Sequence, residues 1–141
     1  MKLADQSEDE NFKISFRTDY AAALEACGDG AAARVLFAEA DNRMAKHYPN
    51  APRLALLANV RLCDLLLSEG RFAEVKKRGA YGLTISQREE WVLMVGLDRL
   101  SLARAELGMA FNATTPAKAA WCVRQGLRHL ARLIHPTDAH C

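Results

Sequence analysis

Between Leu54 and Leu67 the apolar residues fall on nearly every side of the chain: Leu54, Leu56, Leu57, Val60, Leu62, Cys63, Leu65, Leu66 and Leu67. A helix that is apolar all round has to be covered on more than one side. Elsewhere the apolar positions recur three and four residues apart, the spacing of a helix with one inward stripe. Ile14, Phe16, Tyr20, Ala23, Leu24 and Cys27 make one such stripe, and Val35, Leu36, Ala40, Met44 and His47 a second. Ala120, Val123, Leu127, Leu130 and Ile134 make a third, which is expected to face inward. No strand-like alternation of Val, Ile and Thr runs longer than a few residues, so the fold class is all-α.

The breaks between stripes carry helix-ending chemistry. Gly28-Asp29-Gly30 closes a helix begun at Phe12, and Tyr48-Pro49-Asn50-Ala51-Pro52 closes the next. Each proline disfavours helix in the residue before it. Gly70 separates a helix over Arg53–Ser68 from one over Arg71–Ile85, and Gly79 and Gly82 inside the latter point to close approach by a neighbouring helix. Ser86, with Glu89 three residues on, reads as a capping box opening a fifth helix that Gly108 stops. Thr115 and Pro116 open a sixth. Three hairpins result, over residues 12–48, 53–85 and 86–135. They form a single domain over 12–136, with a frayed start over 1–11 and a tail over 137–141.

Gly28, Gly70 and Gly108 stand 42 and 38 residues apart. Aligning them brings Tyr20-Ala21, Leu62-Cys63 and Leu100-Ser101 together ahead of the turn. After it come Ala33, Phe37 and Ala40; then Val75, Gly79 and Gly82; then, past an insertion, Ala119, Val123 and Gly126. The stretches ACGDGAAARVLFAEA and SEGRFAEV resemble the tetratricopeptide repeat. RLCDLLLSEGRFAEV with GLDRLSLARAELG is similar to the repeat arrays of large bacterial multidomain proteins, including signalling NTPases of the STAND class. The unit is longer than that family's usual one, glycine replaces the usual aromatic in the second unit, and the third turn is expanded. No phosphate-binding Gly-rich Lys-Ser/Thr loop occurs in the chain. The resemblance implies a right-handed superhelix of hairpins whose first helices line a concave groove for a peptide or partner helix. Counted from each glycine, the groove positions it implies are Thr18, Ala22 and Glu25; Val60, Asp64 and Ser68; and Asp98, Leu102 and Glu106. The acidic ones would favour a segment carrying Lys or Arg. The bland alternative is internal pairing, of Asp64 with Arg99 or Arg104 and of Asp98 with Arg61, since a charge among apolar neighbours needs a partner.

Composition narrows the field further. With 141 residues, 50% hydrophobic and 26% charged, the chain is an ordinary soluble type. Its net charge of +2 is too small to imply a nucleic-acid partner, although the N-terminal third is acidic and the remainder basic. Arg124, Arg128 and Arg132 recur every four residues, a stripe that reads first as a solvated face and second as a contact for anions. Regulatory nucleic-acid binding through that stripe is the first rival function. A small all-α metal protein or enzyme using His129, His135, His140 and Cys141 is the second. Their spacing matches no metal-ligand pattern, and no histidine is placed to assist Cys27 or Cys122 as a nucleophile. No cofactor, metal or catalytic residue is therefore expected. Four cysteines in no C-x-x-C spacing, no signal peptide and no membrane span make reduced thiols in the cytoplasm the default. Trp91 and Trp121 are expected in the core between repeats. Finally, Leu127, Leu130, Leu133 and Ile134 leave a broad apolar surface with no polar capping helix after it. That predicts a sticky C-terminal face or a homodimer.

Overall fold

The structure, a computed structural model, describes residues 8–51 and 53–134. Six helices account for nearly all of them: α1 (Glu10–Ala26), α2 (Gly30–His47), α3 (Leu56–Ser68), α4 (Phe72–Arg88), α5 (Val92–Phe111) and α6 (Pro116–Ile134). Among the described residues there is no strand. The chain divides into two compact units, residues 1–65 and 66–141, and the apolar helix α3 straddles the division. The expected tail, and Met1 to Ser7 of the expected frayed start, lie outside the described residues. Glu10 and Asn11 are already helical, because Asp9 caps α1 by accepting from the amides of Asn11 and Phe12.

In the first unit α1 packs against α2. The inward positions are Ile14, Arg17, Thr18 and Ala21 on α1, and Ala33, Leu36, Phe37 and Ala40 on α2. Alanines at the contact let the two backbones approach. Phe37 is the largest fully buried side chain among the described residues; truncating a buried aromatic of this kind costs ~3–5 kcal/mol. Asp29 caps α2 as expected, accepting from the amide of Ala32 at 3.0 Å. The chain entering α3 is tied back by Asp41, which accepts from the amide of Leu54 at 2.9 Å. Asn59, Val60, Leu62, Cys63, Leu65 and Leu66 of α3 are buried, whereas Leu57 is exposed, so the helix is covered on most of its sides but not on all.

In the second unit α5 packs against both α4 and α6. Gly79 earns its place by proximity: a Cβ there would meet Leu102 at 3.0 Å. Gly126 likewise faces the carbonyl of Ala103 at 3.4 Å, which sets the antiparallel register of α5 and α6. Two expectations fail in this unit. Gly108 does not stop α5, which runs three residues further; it sits beneath the Phe72 ring, where any Cβ would collide. Ser86 does not open α5 either. It is the buried last-turn residue of α4, and its hydroxyl donates to Asp98 at 2.7 Å.

The turn that ends α4 is instead built on Glu90, at φ +56°. Three helix ends share one hydrogen-bond pattern. The amides of Gly28, Gly70 and Glu90 donate three residues back, to Glu25, Leu67 and Gln87. Those of Asp29, Arg71 and Trp91 donate five back, to Leu24, Leu66 and Ser86. This is the Schellman arrangement, whose pivot is left-handed and favours glycine. The chain therefore repeats its turn at 28, 70 and 90, not at 28, 70 and 108.

Candidate interaction surface

Of the stripe of α6 expected to face inward, Ala120, Val123 and Leu127 are exposed, Leu127 by 57%, and Leu130 is half-buried. The buried positions of the helix are Cys122 and Gly126, with His129 half-buried. A small or flat residue is needed where α6 presses on the backbone of α5, and Cys122 and Gly126 supply it. Val123 and Leu127, one position around the helix from these, are left uncovered. On α5, Leu93, Leu100 and Leu107 are exposed at seven-residue spacing, followed by Phe111 at 90%. Leu107 lies 3.7 Å from where a Cβ on Gly126 would stand, so the α5 stripe borders the α6 stripe. Together they form one apolar ridge and furrow. Its α6 margin carries Arg124 and Arg128, both exposed, and Arg132 continues that stripe one turn on. Arg128 donates to Gln125 at 3.3 Å. From Leu107 to Ile134 the sequence holds Lys118 and these three arginines but no carboxylate.

A second uncovered stripe lies on α1. Phe16 and Tyr20, expected inward, are exposed, as is Phe12; the three follow one another four residues apart with ring centroids 6.3 and 6.4 Å apart. Arg17 and Thr18 take the inward positions beside Ile14 and Ala21. Arg17 is held there by Glu39 and by the Lys13 carbonyl, which accepts from it at 3.1 Å. The outward face of α1 adds the acidic side chains of Asp9 and Asp19, the latter meeting Arg61. Like Asp19, Glu10 is engaged internally, on Lys13 and Arg43, which hold its carboxyl down at about pKa 2.

The residues assigned to a groove are divided between the two units. Thr18, Glu25 and Asp64 belong to the first unit, Asp98 and Glu106 to the second. Thr18 is buried and its hydroxyl donates to the Ser15 carbonyl at 2.9 Å. Glu25 and Asp64 are half-buried. Asp98 is 1% exposed; burial raises its pKa to about 6 against the opposing Ser86 hydrogen bond, and its second oxygen has no partner among the described residues. Glu106 accepts from Lys76 at 2.6 Å, and that ammonium also lies 5.4 Å from the centre of the Trp121 ring. Both carboxylates of α5 are thus engaged within their own unit: Asp98 by Ser86, Glu106 by Lys76. Arg61, considered above for Asp98, meets Asp19 instead.

Beside Glu106 sits a polar seam that the sequence did not reveal. Arg99 is buried, and burial, then the nearby Arg132, push its pKa down. Burial also lowers the pKa of His129; Glu106 opposes this, while Arg99, Arg132 and Lys76 add to it. The seam is a consequence of the register: residues 99 and 129 fall opposite one another once Gly96 meets Leu133 and Gly126 meets Ala103. Trp91 and Trp121, expected in the core, are both exposed at the edges of this unit.

No group of three His, Cys, Asp or Glu side chains among the described residues could hold a metal. His135, His140 and Cys141 lie outside them. Cys27 is an exposed free thiol, and Cys63 and Cys122 are buried. No described helix is long and apolar enough to cross a membrane. No protein-family model matches this chain, and neither does any curated protein or solved structure.

Proposed function

We propose that the chain is a non-catalytic interaction module, a scaffold or sensor of tetratricopeptide-like repeat character, that takes a peptide segment or a partner helix. The observation that carries this reading is the uncovered apolar surface of α5 and α6, formed by Leu93, Leu100, Leu107, Phe111, Val123 and Leu127. Contiguous exposed apolar surface with a polar margin is the usual mark of a partner site. Each large side chain that a partner fully covers contributes ~1.5–3 kcal/mol. Helix pairs with uncovered faces, α1–α2 in one unit and α5–α6 in the other, suit repeat architecture, and the reduced thiols suit a cytoplasmic setting.

The test is capture from source lysate by the full chain and by a Leu107→Glu, Leu127→Glu variant whose helical circular dichroism matches the wild type. A specific partner retained by the first and lost by the second supports the reading. Equal capture by both refutes it. A nucleic-acid role has one observation in its favour, the exposed Arg124 and Arg128 on a helix without carboxylates. Salt-sensitive DNA binding abolished by neutralising those arginines would establish it.

A further inference from the structure

The two uncovered stripes are chemically complementary, and we infer that they meet between copies of this chain: the aromatic, acidic face of α1 on one copy covers the apolar, basic-edged face of α5 and α6 on the next. This rests on the interaction-module reading and names the partner helix.

Each of the two faces belongs to one unit taken alone. Phe12, Phe16 and Tyr20 give α1 an outward apolar stripe about two turns long, enough for an interhelical contact. Leu93, Leu100, Leu107 and Leu127 give α5 and α6 a furrow between two helices, the shape that receives one more helix. Glu8 and Asp9 stand exposed at the start of the first surface, Asp9 also capping the helix, while Asp19 is paired with Arg61; Lys13 is partly buried and Arg17 is buried, so no exposed cation sits on α1 itself. Arg124 and Arg128 edge the second, and no carboxylate follows Glu106 on it. Pairing unlike faces sets opposite charges against one another. Pairing α6 with α6 would set Arg124, Arg128 and Arg132 against their own copies, an arrangement that like-charge juxtaposition disfavours. A contact between different patches is heterologous, so copies join in a closed ring, of which a reciprocal pair is the smallest, or in an open chain.

Two half-blocked variants test it. Phe12→Lys with Tyr20→Lys disables the α1 face; Leu127→Glu with Arg128→Glu disables the α5–α6 face. Sedimentation velocity of the full chain is measured from about 10 µM to about 1 mM. Expected are concentration-dependent oligomers of the wild type, weakened at least ~10-fold by raising the salt severalfold, and monomers of each variant alone. An equimolar mixture of the two variants is expected to give a 1:1 pair and nothing larger, since one live face remains on each. Three results overturn the inference: a wild type that stays monomeric throughout, an α1 variant that still dimerises by itself, or a mixture that stays monomeric. Should either double variant lose its helical signal, Phe12→Ser and Leu127→Ser repeat the same mixing test. A monomeric wild type whose lysate partner still depends on Leu107 and Leu127 would remove this inference and leave the interaction module standing.

Discussion

Glu90 occupies the left-handed pivot of a turn that the chain twice builds with glycine, and Glu90→Gly is the substitution whose effect follows most directly from the backbone. At φ +56° the Cβ of any L residue other than glycine crowds the following carbonyl, at a cost of ~1–2 kcal/mol. Glycine removes that cost but gives the unfolded chain more freedom, which takes back ~0.4–1 kcal/mol. The net expectation is a gain of ~0.5–1 kcal/mol. At a urea dependence near ~2 kcal/mol per molar, the unfolding midpoint rises by ~0.3–0.5 M. The fluorescence of Trp91 and Trp121 reports the transition, and both lie in the same unit as the substitution. Glu90→Ala is the control, because it removes the carboxylate and keeps the Cβ; its midpoint is expected within ~0.5 kcal/mol of wild type. A Glu90→Gly midpoint equal to or below the wild type would refute the assignment of this turn. So would an equal gain from Glu90→Ala, which would trace the effect to charge instead of backbone.

Other outcomes follow from the same packing. Gly79→Leu is expected to destabilise the second unit by ~1–3 kcal/mol in a urea melt, since a Cβ at that position already stands 3.0 Å from Leu102. Asp98 has a folded pKa of about 6, above its unfolded value of 3.8, so it favours the fold most below the lower value, and that advantage disappears as pH rises through 6. Asp98→Asn is therefore expected to be more stable than wild type at pH 7, by up to ~3 kcal/mol, with the difference vanishing near pH 4. For His129 the sign is opposite: with its pKa lowered, its contribution is present above 6.5 and is lost as pH falls. In an NMR titration the His129 pKa should fall further in Glu106→Gln, which removes the one nearby anion, and rise in Arg132→Gln. Glu106→Gln should also cost ~1–2 kcal/mol by leaving Lys76 without its carboxylate.

How far these features could be read from the sequence depends on the kind of signal each one leaves. The helices were legible because Gly28, Gly70 and Pro116 break the chain by backbone chemistry that needs no tertiary context. The third Schellman turn was hidden because Glu90 carries no such mark, and Ser86 with Glu89 imitates a capping box. What decides against that box is Ser86's bond to Asp98, twelve residues away, which no local pattern records. Gly108 misled for the opposite reason, since a glycine held for space under Phe72 has the same letter as one held for a turn. Periodicity established that α6 has an apolar side but not which neighbour, if any, covers it. Cys122 and Gly126 won the contact with α5 because close backbone approach selects small residues over large ones. The implied groove residues were legible as acidic helix positions, whereas the partners of Asp98 and Glu106 depend on the register of α4 with α5. The Arg99–His129 seam depends likewise on how α5 meets α6.

The most direct measurement is a ¹H–¹⁵N correlation spectrum of the isotope-labelled α5–α6-active variant (Phe12→Lys, Tyr20→Lys) as the unlabelled complementary variant is added. Shifts concentrated at Leu93, Leu100, Leu107, Val123, Arg124, Leu127 and Arg128, with α1 and α2 undisturbed, are the expected result. Shifts confined to α1 and α2, or none at all, would contradict the assignment of the α5–α6 face as the docking surface.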